Sequence, residues 1–237
     1  IGIAGLGLFA YIIYKTGLAK VWQAIRNLTV LEITALIGLR FLYWGIRTLN
    51  WQVLMRASGE RVPFLELFGA RIAGNAVGYL TPAGNLGAET MRIFMLDRID
   101  RKKVVATVIV DKTIEFLAGI FATALSVLFV IITFALPQRH KITLVALTAC
   151  VFALLIFLMA KQKQGLFTWA LDAMAKLKIK IPAVEKRRDQ IRETDAHISA
   201  FYRERRGLFY LLFGSYFAQS WVWAFEIFVT FLFVGGS

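Results

Sequence analysis

The 237-residue sequence is both apolar and basic, with 58% hydrophobic residues, a mean hydropathy of +0.64 and a formal net charge of +13. Several windows of about 20 residues hold almost no charge, which is typical of membrane-spanning helices and excludes the soluble globular classes. The Lys and Arg residues lie mainly between the apolar segments, where the positive-inside rule expects them. The basic charge therefore does not indicate nucleic-acid binding.

Taken in chain order, the apolar segments predict an all-α, polytopic helical membrane protein that forms a single transmembrane domain over residues 1–237. A basic insert at 161–206 carries 12 Lys or Arg against 6 Asp or Glu, and its stretch at 166–177 has the apolar spacing of an amphipathic surface helix. The predicted spans cover residues 1–14, 31–55, 104–136, 142–160 and 208–234.

The second predicted span carries four polar or aromatic residues on one helical face. Arg40, Trp44, Arg47 and Trp51 are separated by four, three and four residues. An arginine near the bilayer centre costs roughly 3 kcal/mol on insertion scales, so we expect this face to contact protein or water. Snorkelling to the membrane interface is the alternative for Arg47, which lies closer to the end of the span.

Residues 64–96 form two apolar arms, at about 64–79 and 85–96, around a Thr-Pro-Ala-Gly break at 81–84. Each arm is shorter than the roughly 20 residues that a spanning helix needs. Because lipid cannot satisfy non-helical backbone, the break predicts a re-entrant hairpin that lines a polar cavity. Asn85 is expected to cap the second arm, whose N-terminal end would then attract an anion. A Pro-kinked helix that crosses once is the alternative.

The hairpin sequence also predicts close packing and an ion pair. Gly74 and Gly78 lie one helical turn apart and would let another backbone approach. Glu89 and Arg92 lie three residues apart, so they can pair across one turn. That pair either contributes to a site with Arg71 on the first arm or only neutralises itself.

Two further spans place ionisable residues inside apolar sequence. Asp111 and Glu115 are four residues apart with Lys112 beside them, which suggests a solvated mouth of the cavity or, alternatively, the interfacial end of a long tilted helix. In the last span Gln219 and Glu226 share a face. We expect Glu226 to be paired or hydrated, unless it lies at a shallower, interfacial depth.

The remaining features bound the chemistry. The lone Cys150 cannot form an internal disulfide, and His140 and His197 have no neighbouring Cys or His, so we expect neither a metal site nor a cofactor. The surplus of Lys and Arg assigns the insert at 161–206 to the cytoplasmic side of the plasma membrane in both hairpin topologies. There is no nucleophile–base pair at a recognisable spacing, so we do not expect an enzyme.

A pattern of small and polar residues runs through the hairpin and the following span. Its members are Asn75, Thr81, Pro82, Gly84, Gly87, Glu89, Arg92, Leu96, Asp111, Lys112 and Glu115. This pattern resembles the lysylphosphatidylglycerol synthase transmembrane-region family of flippase-like membrane proteins, although Ala88 stands where that family usually has a second Gly. The resemblance implies further helices after residue 237 with a second broken hairpin. It does not imply synthase activity, because the soluble aminoacyl-transferring domain is absent.

Together these features predict a flippase-like protein that moves a lipid with a phosphate-bearing headgroup through a polar cavity, the lipid being an anionic or zwitterionic phospholipid or a polyprenyl-linked lipid. The predicted headgroup-binding residues are Arg71, Asn75, Thr81, Asn85, Gly87, Glu89, Arg92, Asp111, Lys112 and Glu115. The predicted further lining of the cavity consists of Arg40, Trp44, Gln219 and Glu226. The alternatives are a membrane-embedded transferase with Glu89 or Asp111 as general base, and a scaffold that docks a membrane enzyme partner.

Overall fold

The computed structural model describes residues 26–80, 84–135, 137–165 and 188–235, and six isolated positions (17, 22, 168, 169, 171 and 176). The described part of the chain is helical, which confirms the all-α fold class. Its helices are α1 (Val30–Ala57), α2 (Phe64–Leu80), α3 (Asn85–Phe94), α4 (Arg101–Thr133), α5 (Gln138–Gln164), α6 (Arg188–Glu204) and α7 (Arg206–Gly235). The predicted span at 1–14 and most of the predicted helix at 166–177 lie outside the described residues.

Three of these helices, α4, α5 and α7, are long and apolar enough to cross a membrane. They match the predicted spans at 104–136, 142–160 and 208–234 to within a few residues. At 28 residues α1 is also long enough, but it carries Glu32, Arg40, Arg47 and Arg56 and is not one of these three helices, so its crossing stays a prediction. The single transmembrane domain likewise stays a prediction.

Side chains fix the points at which two helices begin. Before α1, the Thr29 backbone N–H donates to Glu32 (2.7 Å) and the Glu32 N–H donates to the Thr29 hydroxyl (3.3 Å), which is a capping box. Before α4, the Asp100 carboxylate accepts from the Lys102 backbone N–H at 3.0 Å. These contacts satisfy amides that have no intrahelical partner.

The chain divides into two compact units, and the first comprises Ile1–Leu49, Pro63–Met95 and Trp221–Ser237. It therefore holds most of α1, the α2–α3 pair and the last part of α7. Aromatic stacking joins α1 to α2, since the rings of Phe41 and Phe68 lie 6.2 Å apart and nearly parallel. This unit contains all the described candidate residues of the hairpin.

The second unit comprises Asn50–Val62 and Leu96–Ser220. Its core is formed by fully buried residues such as Trp51, Ile114 and Leu212, and the Trp51 indole N–H donates to the Thr107 hydroxyl at 3.3 Å. The apolar part of α5 has no buried residues, as expected for a helix that faces lipid.

Within the second unit, α6 packs on α4 and α5 and was missed in the sequence. It lies in the basic insert, downstream of the helix predicted at 166–177. An ion pair between Lys102 and Glu193 joins it to the start of α4. Its buried face includes Ile198 and Tyr202, and burial raises the pKa of the Tyr202 hydroxyl, against the opposing effect of a hydrogen bond with Thr113.

Candidate functional site

The two arms of the broken segment fold back on each other as an antiparallel pair. A Cβ atom on Gly74 would lie 2.6 Å from the Ala88 carbonyl oxygen, and one on Gly78 would lie 3.0 Å from the Ala88 Cβ. The Cβ atom on Gly78 would also lie 3.1 Å from the Gly84 carbonyl oxygen. A kinked but continuous helix would separate Gly74 from Ala88 by roughly 20 Å. The hairpin geometry and the predicted close approach at both glycines are therefore confirmed.

The arms have the lengths that the sequence predicts. With 17 and 10 residues, α2 and α3 extend for about 26 and 15 Å, which is less than the roughly 30 Å hydrocarbon core. The structure contains no membrane, so re-entry of the hairpin into a bilayer stays a prediction.

The second arm starts at Asn85, as predicted. The N-cap position is occupied by Gly84, which has φ +52° and no side chain, and the expected capping role of the Asn85 side chain stays a prediction. Only glycine adopts this backbone conformation readily, which explains its position at the break. The first intrahelical bond runs from the Ala88 N–H to the Gly84 carbonyl at 3.1 Å. Thr81 and the side chain of Asn85 lie outside the described residues.

Two arginines are buried in the hairpin, one on each arm. Arg71 and Arg92 are each 2% exposed. The Arg92 guanidinium pairs with the Glu89 carboxylate at 2.5 Å, which confirms the predicted i,i+3 pair. Asn75 and Gly87 are partly exposed on the same two helices. The hairpin therefore holds forked hydrogen-bond donors in a protein interior where charge interactions are strong.

A second polar cluster in the first unit joins two of the predicted lining residues. The Arg40 guanidinium lies 2.6 Å from the Oε1 atom of Glu226, and Glu226 is 7% exposed. The other Glu226 oxygen, Oε2, has no hydrogen-bond partner among the described residues. Arg47 donates to the Tyr43 hydroxyl at 2.8 Å and lies 5.1 Å from the centre of the Trp44 ring. Arg47 is 8% exposed, so it packs on aromatic rings instead of snorkelling.

The predicted cluster on α4 separates into two environments in the second unit. Asp111 is fully buried, where a solvated mouth would expose it, and its carboxylate accepts a hydrogen bond from the Tyr216 hydroxyl. Lys112 instead pairs with Glu115 at 3.2 Å, and the side chains of both are 20% exposed. Sequence reasoning missed Tyr216, because a partner 105 residues away leaves no local signal.

Gln219 also lies in the second unit and is 5% exposed. One turn earlier on α7, Ser215 donates to the Asn50 side-chain oxygen at 2.8 Å. Asn50, also 5% exposed, was missed because a lone Asn near the end of a span resembles an interfacial residue. No described group of three or more His, Cys, Asp or Glu residues is placed to hold a metal ion.

Comparison with known proteins gives a match over almost the whole chain. A family model described as the lysylphosphatidylglycerol synthase TM region matches residues 1–236. A UPF0104 membrane protein of Methanothermobacter thermautotrophicus is 26% identical over 147 residues, or 61% of this chain and 44% of that protein. The matched region is thus less than half of that relative's length. No solved structure matches the chain.

Proposed function

The chain belongs to the lysylphosphatidylglycerol synthase transmembrane-region family, a membrane-protein family related to lipid handling, and from this premise we propose a flippase-like function. The protein binds the phosphate-bearing headgroup of a membrane lipid in a polar intramembrane cavity and moves it between leaflets. The acyl chains stay in the hydrocarbon during this movement. The protein belongs to the plasma membrane, with the basic insert on its cytoplasmic side.

The observation that carries this proposal is the burial of Arg71 and Arg92 in a hairpin of half-length helices. An uncompensated headgroup charge in hydrocarbon costs several kcal/mol even after relaxation. Guanidinium groups match phosphate oxygens with paired hydrogen bonds, and the N-terminal amides of α3 add positive potential. The hairpin thus supplies the interactions that replace water around a phosphate.

The acidic partners of the site support a headgroup with both signs of charge. Glu89 lies beside Arg92, and Glu226 lies beside Arg40, so each cation in these pairs has a carboxylate within 2.6 Å. The Oε2 atom of Glu226 can accept a hydrogen bond from an ammonium or hydroxyl group. A zwitterionic headgroup would exchange partners with such pairs without leaving a buried charge uncompensated.

The test measures the movement of a headgroup-labelled lipid in proteoliposomes. Arg92→Ala removes the fork and Glu89→Gln removes its partner, while Arg139→Ala, at an exposed residue at the start of α5, is the matched control. The free energy of one charged hydrogen bond corresponds to about a tenfold change in rate. We therefore expect lipid movement to be at least tenfold slower in the first two variants and as fast as the wild type in the control. Equal rates in all four proteins would refute the proposal.

We also propose that the protein is not an enzyme. A transferase with Glu89 or Asp111 as general base would convert a lipid-phosphate substrate in detergent, where no leaflets exist. A flippase would leave the lipid chemically unchanged there. Mass spectrometry of lipids incubated with the detergent-solubilised protein separates the two functions.

A further inference from the structure

The second unit contains a cavity of about 180 Å³ between the end of α1, the start of α4 and the C-terminal half of α6. Its lining includes the apolar residues Leu54, Val110 and Phe201. It also includes the basic residues Lys103 and Arg205. The cavity is therefore amphiphilic, and its lining includes none of the candidate headgroup-binding residues described above.

Specific contacts hold the three walls together. The Lys103 ammonium lies 2.7 Å from the Glu60 carboxylate, which joins the turn after α1 to α4. The ion pair of Lys102 with Glu193 joins α4 to α6. Because these contacts span all three helices, the cavity is a built feature and not a gap between loosely packed elements.

The hydrogen-bond donors of the cavity suit an anion. Lys103, Arg205 and the exposed His197 supply these donors, and the carboxylates near them are Glu204 in the lining and Glu60, which is paired with Lys103. Lys103 has three N–H donors, and its bond with Glu60 uses one of them. The cavity also lies at the start of α4, a helix long and apolar enough to cross a membrane, and lipid phosphates lie where such helices leave the hydrocarbon.

We propose that this cavity binds the phosphate of a negatively charged phospholipid from the adjoining leaflet, as a resident lipid distinct from the transported one. Basic pockets between helices on the cytoplasmic side of membrane proteins take lipid headgroups in this way. The volume of about 180 Å³ is enough for a phosphate group and the glyceryl carbon attached to it. The apolar residues of the lining favour a lipid over free phosphate, since they would cover the first part of an acyl or glyceryl chain.

The experiment measures the thermal unfolding of the full chain in detergent during titration with short-chain phosphatidic acid. Phosphatidylcholine of the same chain length and inorganic phosphate are the comparison ligands. We expect a saturable rise in Tm with phosphatidic acid that the other two do not produce. Arg205→Gln, on the cavity, should weaken the apparent affinity about tenfold. Arg203→Gln, at an exposed residue in the last turn of α6 and outside the lining, should not.

A second variant tests the cavity by volume instead of charge. Ala200→Phe places a ring in the lining and should abolish the phosphatidic-acid shift while the ligand-free Tm stays near that of the wild type. The hairpin variant Arg92→Ala should retain the shift, which keeps this site separate from the transport proposal. An equal shift with phosphatidylcholine, a full shift with inorganic phosphate, or an unchanged response in both Arg205→Gln and Ala200→Phe would overturn the inference.

Discussion

Among the described glycines of the hairpin, Gly74 has the least space for a side chain, and Gly74→Ala is expected to loosen the hairpin. The added methyl group would lie 2.6 Å from the Ala88 carbonyl oxygen, a distance that only a backbone shift can relieve. Overpacking of this kind typically costs about 1–3 kcal/mol. The higher helix propensity of alanine offsets up to about 1 kcal/mol of that cost.

Gly69→Ala is the matched control, because Gly69 lies on the same helix with open space around its missing Cβ. It carries the propensity gain without the clash, so the difference between the two variants isolates the packing cost. That difference corresponds to roughly 2–12 °C in Tm for a protein of this size. Gly78→Ala, with contacts at 3.0 and 3.1 Å, should fall between them.

Thermal unfolding in detergent, followed by size-exclusion chromatography, measures all three variants. We expect the order Gly69→Ala, Gly78→Ala, Gly74→Ala from highest to lowest Tm. If Gly74→Ala melts within about one degree of Gly69→Ala, the two backbones do not approach as closely as described, and the account of the hairpin is wrong.

Two ion and hydrogen-bond contacts give further predictions. Arg40→Ala should destabilise the protein more than the double variant Arg40→Ala/Glu226→Gln does, because the single change leaves a buried carboxylate without its cation. A double-mutant cycle measured by thermal unfolding should give a coupling free energy of about 1 kcal/mol, since Arg40 is half exposed. Tyr216→Phe should destabilise by about 1–3 kcal/mol because it removes a donor from the fully buried Asp111, and denaturant titration should show that adding Asp111→Leu recovers part of the loss. Additive effects in the first cycle, or a neutral Tyr216→Phe, would contradict these assignments.

Local signals predicted the hairpin well. The Pro-Gly break, the short arms and the glycines at 74 and 78 are features of neighbouring residues, and they specified where α2 and α3 begin and that they pack closely. The Glu89–Arg92 pair followed from helical spacing in the same way. The positive φ of Gly84 at the N-cap position was not predicted, because no neighbouring residue signals it.

Long-range partners could not be predicted. The bond between Tyr216 and Asp111 joins residues far apart in sequence, and nothing near Asp111 distinguished a buried carboxylate from one in a solvated mouth. For α6 a signal was present, since Ile191, Asp195, Ile198 and Tyr202 recur at intervals of three or four residues. The high charge of the insert obscured that period.

The most direct test of the central claim maps where a phosphate-headed lipid binds. A lipid with a photoreactive group in its headgroup would be crosslinked to the protein in proteoliposomes, and the adducts located by peptide mass spectrometry. If the hairpin is the headgroup site, we expect adducts on α2 and α3, near Asn75, Gly87 and Glu89. Unlabelled lipid should compete these adducts away, and Arg92→Ala should reduce them. Adducts confined to the lipid-facing surface of α5, with no competition and no effect of Arg92→Ala, would contradict the hairpin as the headgroup site.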